Sequence, residues 1–148
     1  MRRTLKDFMS HAPLSNLILH CADGRLLQDI YDWLTSKGFV GTCDKLVYPG
    51  GCQRLVMPKN EAQRECALDD IETLIGLHGT QRIILANHTD CGAYGGAAAF
   101  HNPEAERQKH AEHLKEAASI IKSRWPAMEV VIVVIEMTSL GNNFIEIE

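Results

Sequence analysis

"NLILHCADGRLLQDIYDWLTSKG", residues 16–38, is a strand that ends in chemistry and then turns into a helix. Residues 16–21 carry the apolar run Leu17, Ile18 and Leu19, the length and composition of a buried strand. From 26 to 38, Leu26, Leu27, Ile30 and Leu34 recur at helical spacing, and Gly38 supplies a stop. Between the two stand Cys21, Asp23 and Arg25, a thiol, a carboxylate and a guanidinium placed where the strand should end. A strand running straight into an amphipathic helix is the opening of a parallel β-α-β unit.

The same alternation continues outward. Residues 44–49, "DKLVYP", read as a second strand followed by the glycine-rich loop "PGGCQ". A long helix follows, with Asn60 as N-cap, Gln63 three residues on as in a capping box, and Gly79 as its end. Its apolar side is expected to hold Cys66, Leu68, Ile71, Leu74 and Ile75. Residues 82–87, "RIILAN", form a third strand, and 88–100, "HTDCGAYGGAAAF", a loop opening into a short helix of small residues. Asn102 and Pro103 cap and start another helix that runs to about Arg124. Residues 129–137, "EVVIVVIEM", give a fourth strand, and "SLGNN" turns it into a last one, "FIEIE". The fold class is therefore α/β, a mostly parallel β-sheet with helices on both faces and a C-terminal antiparallel edge strand. Residues 1–148 are expected to form one domain. Residues 2–10 suggest a short amphipathic helix.

Composition narrows the function classes. The chain has 148 residues, 45% of them hydrophobic, and a net charge of −4. It lacks the basic stripe with interleaved aromatics that nucleic acid requires. No apolar run approaches the roughly 20 residues that cross a bilayer. These features point to a cytoplasmic protein with neither nucleic acid nor membrane as a partner. Five cysteines, an odd number in a reducing compartment, argue against a disulfide framework and for core, metal or nucleophile roles.

A second reactive cluster, "NHTDCG", places His88 and Cys91 directly after the third strand. Both clusters thus leave the carboxyl ends of parallel strands, where open α/β sheets bind ligands at the point of strand-order reversal. If the first and third strands are neighbours there, Cys21, His88 and Cys91 converge. Two thiolates and one imidazole suit Zn2+, and three protein ligands leave the fourth tetrahedral position free, as in a catalytic site. A cysteine-phosphatase loop is excluded by counting: it needs Arg six residues after the Cys, and position 27 is Leu.

Cys21-Ala22-Asp23-Gly24-Arg25 after the first strand and His88-Thr89-Asp90-Cys91-Gly92-Ala93 after the third resemble the two motifs of the β-class carbonic anhydrases. The resemblance implies zinc on Cys21, His88 and Cys91, an Asp23–Arg25 catalytic dyad, and reversible hydration of carbon dioxide to bicarbonate by zinc-held hydroxide. It also implies a homodimer or higher homo-oligomer and a substrate pocket near Tyr48, Gly50, Gly51 and Gly92. The segment from Tyr48 to Arg54 lacks the family's Arg-Asn-Ala-Gly pattern, and Gly24 stands where Ser is common. These departures keep two alternatives open: a related zinc hydrolase acting on carbonyl sulfide or carbon disulfide, and a catalytically silent zinc-binding protein.

Several side chains have competing readings. Asp23 has three: partner of Arg25 beside the metal, fourth metal ligand in a closed form, or cap of the following helix with Arg25 at the surface. Cys52 reads as a core or loop thiol, with pocket lining as the alternative, and Cys43 and Cys66 as packing residues. His110 and His113 share a helix face in the charged stretch "ERQKHAEHLK" and are expected to be solvated. His20 should point away from Cys21 by strand alternation, and Glu136 should reach solvent.

Overall fold

The computed structural model describes residues 14–148, so the expected helix over 2–10 lies outside the described residues. Strand β1 (Asn16–Cys21) passes through a 3₁₀ turn (Gly24–Leu26) into helix α1 (Leu27–Ser36), and β2 (Cys43–Tyr48) follows. The short helix α2 (Gln53–Val56), the long helix α3 (Glu61–His78) and strand β3 (Arg82–His88) come next. Two 3₁₀ turns (Gly92–Tyr94 and Ala97–Ala99) replace the expected small-residue helix. Helix α4 (Pro103–Arg124) and strands β4 (Glu129–Thr138) and β5 (Gly141–Ile147) close the chain.

The sheet order is β2-β1-β3-β4-β5, with β1, β2, β3 and β4 parallel and β5 antiparallel to β4. The direction of strand addition therefore reverses between β1 and β3, and the crevice at their carboxyl ends is the switch point. Alternation along the strands splits the core into two layers. Leu17, Leu19, Ile83, Leu85 and Val134 face Leu68 and Ile71 of α3 and Leu114, Ala117 and Ile121 of α4. Ile18, Ile84, Val133 and Ile135 face Ile30 and Leu34 of α1. Strands β1 and β3 are buried on both faces, as near-continuous apolar runs in a parallel sheet require. Each fully buried Leu or Ile contributes about 1.5–3 kcal/mol, so these two strands are anchored at the centre.

Local signals account for the helix limits. Asn60 Oδ1 accepts the Gln63 N–H at 2.9 Å, but the Gln63 side chain returns to the Lys59 N–H rather than to that of Asn60. Gly79 ends α3 with φ +68°, a left-handed position suited to glycine. Asn102 Oδ1 accepts the Ala105 N–H at 2.8 Å, and Pro103 takes the first helical position of α4. Cys66 is exposed rather than packed, because the buried stripe of α3 runs through Ala67, Leu68 and Ile71.

Candidate metal centre

The ends of β1 and β3 bring Cys21, His88 and Cys91 together as neighbours at the switch point. The three candidate ligand atoms lie within 4.8 Å of one another, and all three residues are buried. Cys21 Sγ and Cys91 Sγ are 3.9 Å apart. The Cys91 thiol donating toward Cys21 favours the Cys21 thiolate and pulls its pKa down, while proximity to that thiolate drives the pKa of Cys91 up. A cation between the two sulfurs would meet both of them.

His88 Nδ1 donates to the Thr89 carbonyl at 2.7 Å. That bond assigns the proton to Nδ1 and leaves the Nε2 lone pair free. His88 Nε2 is fully buried and has no hydrogen-bond partner. A buried acceptor without a donor costs free energy unless a ligand meets it. Burial disfavours a charged His88 ring, but the neighbouring Cys21 sulfur and the Thr89 carbonyl outweigh it and raise the pKa. The donor set and the orphaned nitrogen together fit Zn2+, bound by thiolate and imidazole.

Asp23 and Arg25 are paired with each other, and Asp23 also caps the 3₁₀ turn. Asp23 Oδ1 accepts the Arg25 backbone N–H at 2.9 Å, while Arg25 Nε and Nη2 grip both carboxylate oxygens. The Arg25 side chain holds the Asp23 pKa down at about 2. Asp23 Oδ2 lies 3.8 Å from His88 Nε2, so the carboxylate borders the cluster while engaged with Arg25. The guanidinium is also held from the other side: Nη1 donates to Asp90 Oδ2 and Nη2 to the Asp90 carbonyl, each at 3.0 Å. Asp90 thereby links the two motifs, a role that motif spacing did not single out.

The Pro49-Gly50-Gly51 turn lies against the end of β1. Gly50 and Gly51 have φ +79° and +57°, and a Cβ on Gly51 would sit 2.8 Å from Asn87 Oδ1 and 3.4 Å from the Cys21 backbone nitrogen. Only glycine fits there. Asn87 Oδ1 accepts the Cys52 N–H at 3.0 Å, tying the turn to the residue before His88. The Tyr48 hydroxyl instead donates to Asp70 of α3. A cleft of about 290 Å³ opens beside Cys21 and Asp23, lined chiefly by Leu27, Ile30, Tyr31, Leu34 and Val47. Tyr48, Gly50, Gly51 and Gly92 do not line it, and Gly92 is exposed.

Cys52 is fully buried in the core, where burial pushes its thiol up to about 12. Cys43 is half-buried. His20 is buried, with Nδ1 donating to the Cys21 carbonyl at 2.8 Å. Glu136 pairs with Arg107 at 2.9 Å.

His110 and His113 are not solvated: they are 0% and 8% exposed. With Glu106 they extend the buried stripe of Leu114, Ala117 and Ile121 toward the site. The i, i+4 and i, i+7 spacing from Glu106 was the available signal, masked by the charged residues on the opposite face. Around them, Asn87 Nδ2 donates to the Tyr94 hydroxyl at 3.2 Å, and Tyr94 and His113 Nδ1 are 2.8 Å apart.

A profile of the family described as "Putative carbonic anhydrase" matches residues 13–140. An uncharacterized protein of Rickettsia bellii is 33% identical over 119 residues, covering 78% of this chain and 73% of its own length. An uncharacterized protein of Rickettsia conorii is 31% identical over 119 residues, covering 78% of this chain and 64% of its own length, just under two thirds. Among solved structures, one from a study of two tetrameric β-carbonic anhydrases of the ascomycete Sordaria macrospora superimposes with a TM-score of 0.53 at 15% identity. That match covers 97% of this chain and 86% of the other, and it supports the fold.

Proposed function

The chain belongs to this carbonic anhydrase family, and from that premise we propose that it is a zinc-dependent lyase that interconverts carbon dioxide and bicarbonate. One observation carries the reading: Cys21, His88 and Cys91 meet at the switch point with the buried Nε2 of His88 unpartnered. When bound there, zinc supplies a Lewis acid that makes hydroxide available from water near neutral pH.

The chain's own residues have separable tasks. Cys21, His88 and Cys91 hold the ion, and the Thr89 carbonyl keeps the His88 proton on Nδ1 so that Nε2 faces inward. Asp23 stays ionised across the neutral range because Arg25 donates to it. It therefore acts as a hydrogen-bond acceptor at the edge of the cluster and orients a donor there. Arg25, fixed between Asp23 and Asp90, holds the Asp23 carboxylate at the edge of the cluster. The apolar cleft beside Cys21 suits a small neutral substrate with no charge to desolvate.

The chain acts as a single zinc-binding domain that associates with copies of itself. The tetrameric state of the Sordaria macrospora enzymes supports such association. Among the described residues, no helix is long and apolar enough to cross a membrane.

Stopped-flow measurement of carbon dioxide hydration on zinc-loaded protein tests the proposal, with carbonyl sulfide and carbon disulfide run alongside. Turnover of carbon dioxide that is lost in Cys91→Ser is the expected result. Turnover of only the sulfur compounds would reassign the substrate, and no turnover of any of the three would leave a silent zinc protein.

A further inference from the structure

The loop joining two of the three candidate ligands rests on a residue with an uncommon backbone. Asp90, between His88 and Cys91, has φ +54° and is the sole non-glycine residue with positive φ among the described residues. Such a conformation is disfavoured for an L-residue and persists only when its surroundings determine it. Here every polar group of Asp90 is engaged. Oδ1 accepts the Ala97 N–H at 3.0 Å, and Oδ2 and the carbonyl take the two Arg25 nitrogens. The backbone N–H donates to Glu106 Oε1 at 2.5 Å.

Glu106 is unusual for its position. It lies in the first turn of α4 yet is only 3% exposed. A carboxylate is rarely buried to that degree unless donors compensate it. His110 Nε2, the nearest imidazole nitrogen, stands 4.0 Å away, beyond hydrogen-bond reach. The Asp90 amide is thus the donor that accounts for a buried acid at the head of this helix.

We infer that Glu106 is a positioning residue for the metal centre: its carboxylate holds the Asp90 amide and so fixes the left-handed loop that carries His88 and Cys91 before any ion is bound. The inference rests on the metal-centre reading above. The essential feature is a hydrogen-bond acceptor at the Oε1 position, so glutamine should replace glutamate and alanine should not.

Two measurements on folded protein test this. In a chelator competition, Glu106→Ala should weaken zinc binding about 10–100-fold, the range typical of residues that orient ligands. Glu106→Gln should stay within about threefold of the parent, and Leu114→Ala, which damages the same helix without touching the loop, should do likewise. In metal-free protein, the Asp90 amide should exchange with solvent at least about tenfold faster in Glu106→Ala than in the parent or in Glu106→Gln. If Glu106→Ala does not fold, Glu106→Asp, whose shorter side chain falls short of the amide, should show both effects. Unchanged zinc affinity with an equally protected Asp90 amide would overturn the inference. So would a loss of affinity in Leu114→Ala as large as in Glu106→Ala. If the parent takes up no zinc, the metal-centre reading fails, and the role in positioning a metal loop fails with it; the amide exchange then reports whether the clamp itself exists.

Discussion

Lowering the pH should destabilise this protein through His110, and the size of the effect follows from its surroundings. The ring is fully buried. It lies edge-on to Tyr94 with ring centroids 4.6 Å apart, and its Nδ1 is 3.4 Å from Asn87 Nδ2. Its Nε2 has no partner. Burial, reinforced by the nearby His88 and His113 rings, lowers the His110 pKa to about 4. In the unfolded chain the value returns to about 6.5, so below that pH the unfolded state binds more protons. The contribution is therefore complete above about pH 6.5 and is lost as the pH falls toward about 4. Between about pH 7 and pH 5 the linkage relation with these two values gives a loss of about 2 kcal/mol. His110→Phe keeps an aromatic ring in the site and removes the titration. Urea unfolding of metal-free protein at both pH values should show the parent losing about 2 kcal/mol more than the variant. Equal losses in parent and variant would refute the reasoning, because the buried neutral imidazole would then not be linked to stability.

Three further outcomes are expected. Gly51→Ala should cost about 2–5 kcal/mol in urea unfolding, combining a left-handed backbone with displacement of the Asn87 acceptor from the Cys52 N–H. Metal analysis should find zinc lost from Cys91→Ser and retained in Cys66→Ser, since the first thiol is in the cluster and the second is exposed. Arg25→Ala should return the Asp23 pKa from about 2 toward about 3.9, read by NMR titration of the Asp23 carboxyl in metal-free protein. An unmoved value would show that Arg25 does not set the charge state of Asp23.

Much of the architecture was legible in the sequence because it depends on local pattern. Short apolar runs alternating with helix-spaced apolar residues dictate a parallel sheet covered on both faces. Asn60, Gly79, Asn102 and Pro103 mark helix limits through bonds made within a few residues. Cys21 and the His88–Cys91 pair could be recognised because each motif sits at a strand end, and strand ends in this fold converge. What the sequence left open were relations between distant segments. Adjacency of β1 and β3 brings residues nearly seventy positions apart within 4.8 Å, and no local signal specifies that pairing. The burial of Glu106, His110 and His113 was hidden because the same helix turns carry charged residues on their solvent side. Cys66 fails in the opposite sense: it is apolar by type, but the rotation of α3 against the core places Ala67 inward instead. Local hydrogen bonds and periodicity are properties of a segment and can be read from it. Which face of a helix meets the sheet, and which loop its first turn reaches, is decided by packing of the whole chain, so only the tertiary structure could show that Asp90 joins Arg25 to Glu106 beside the candidate metal cluster.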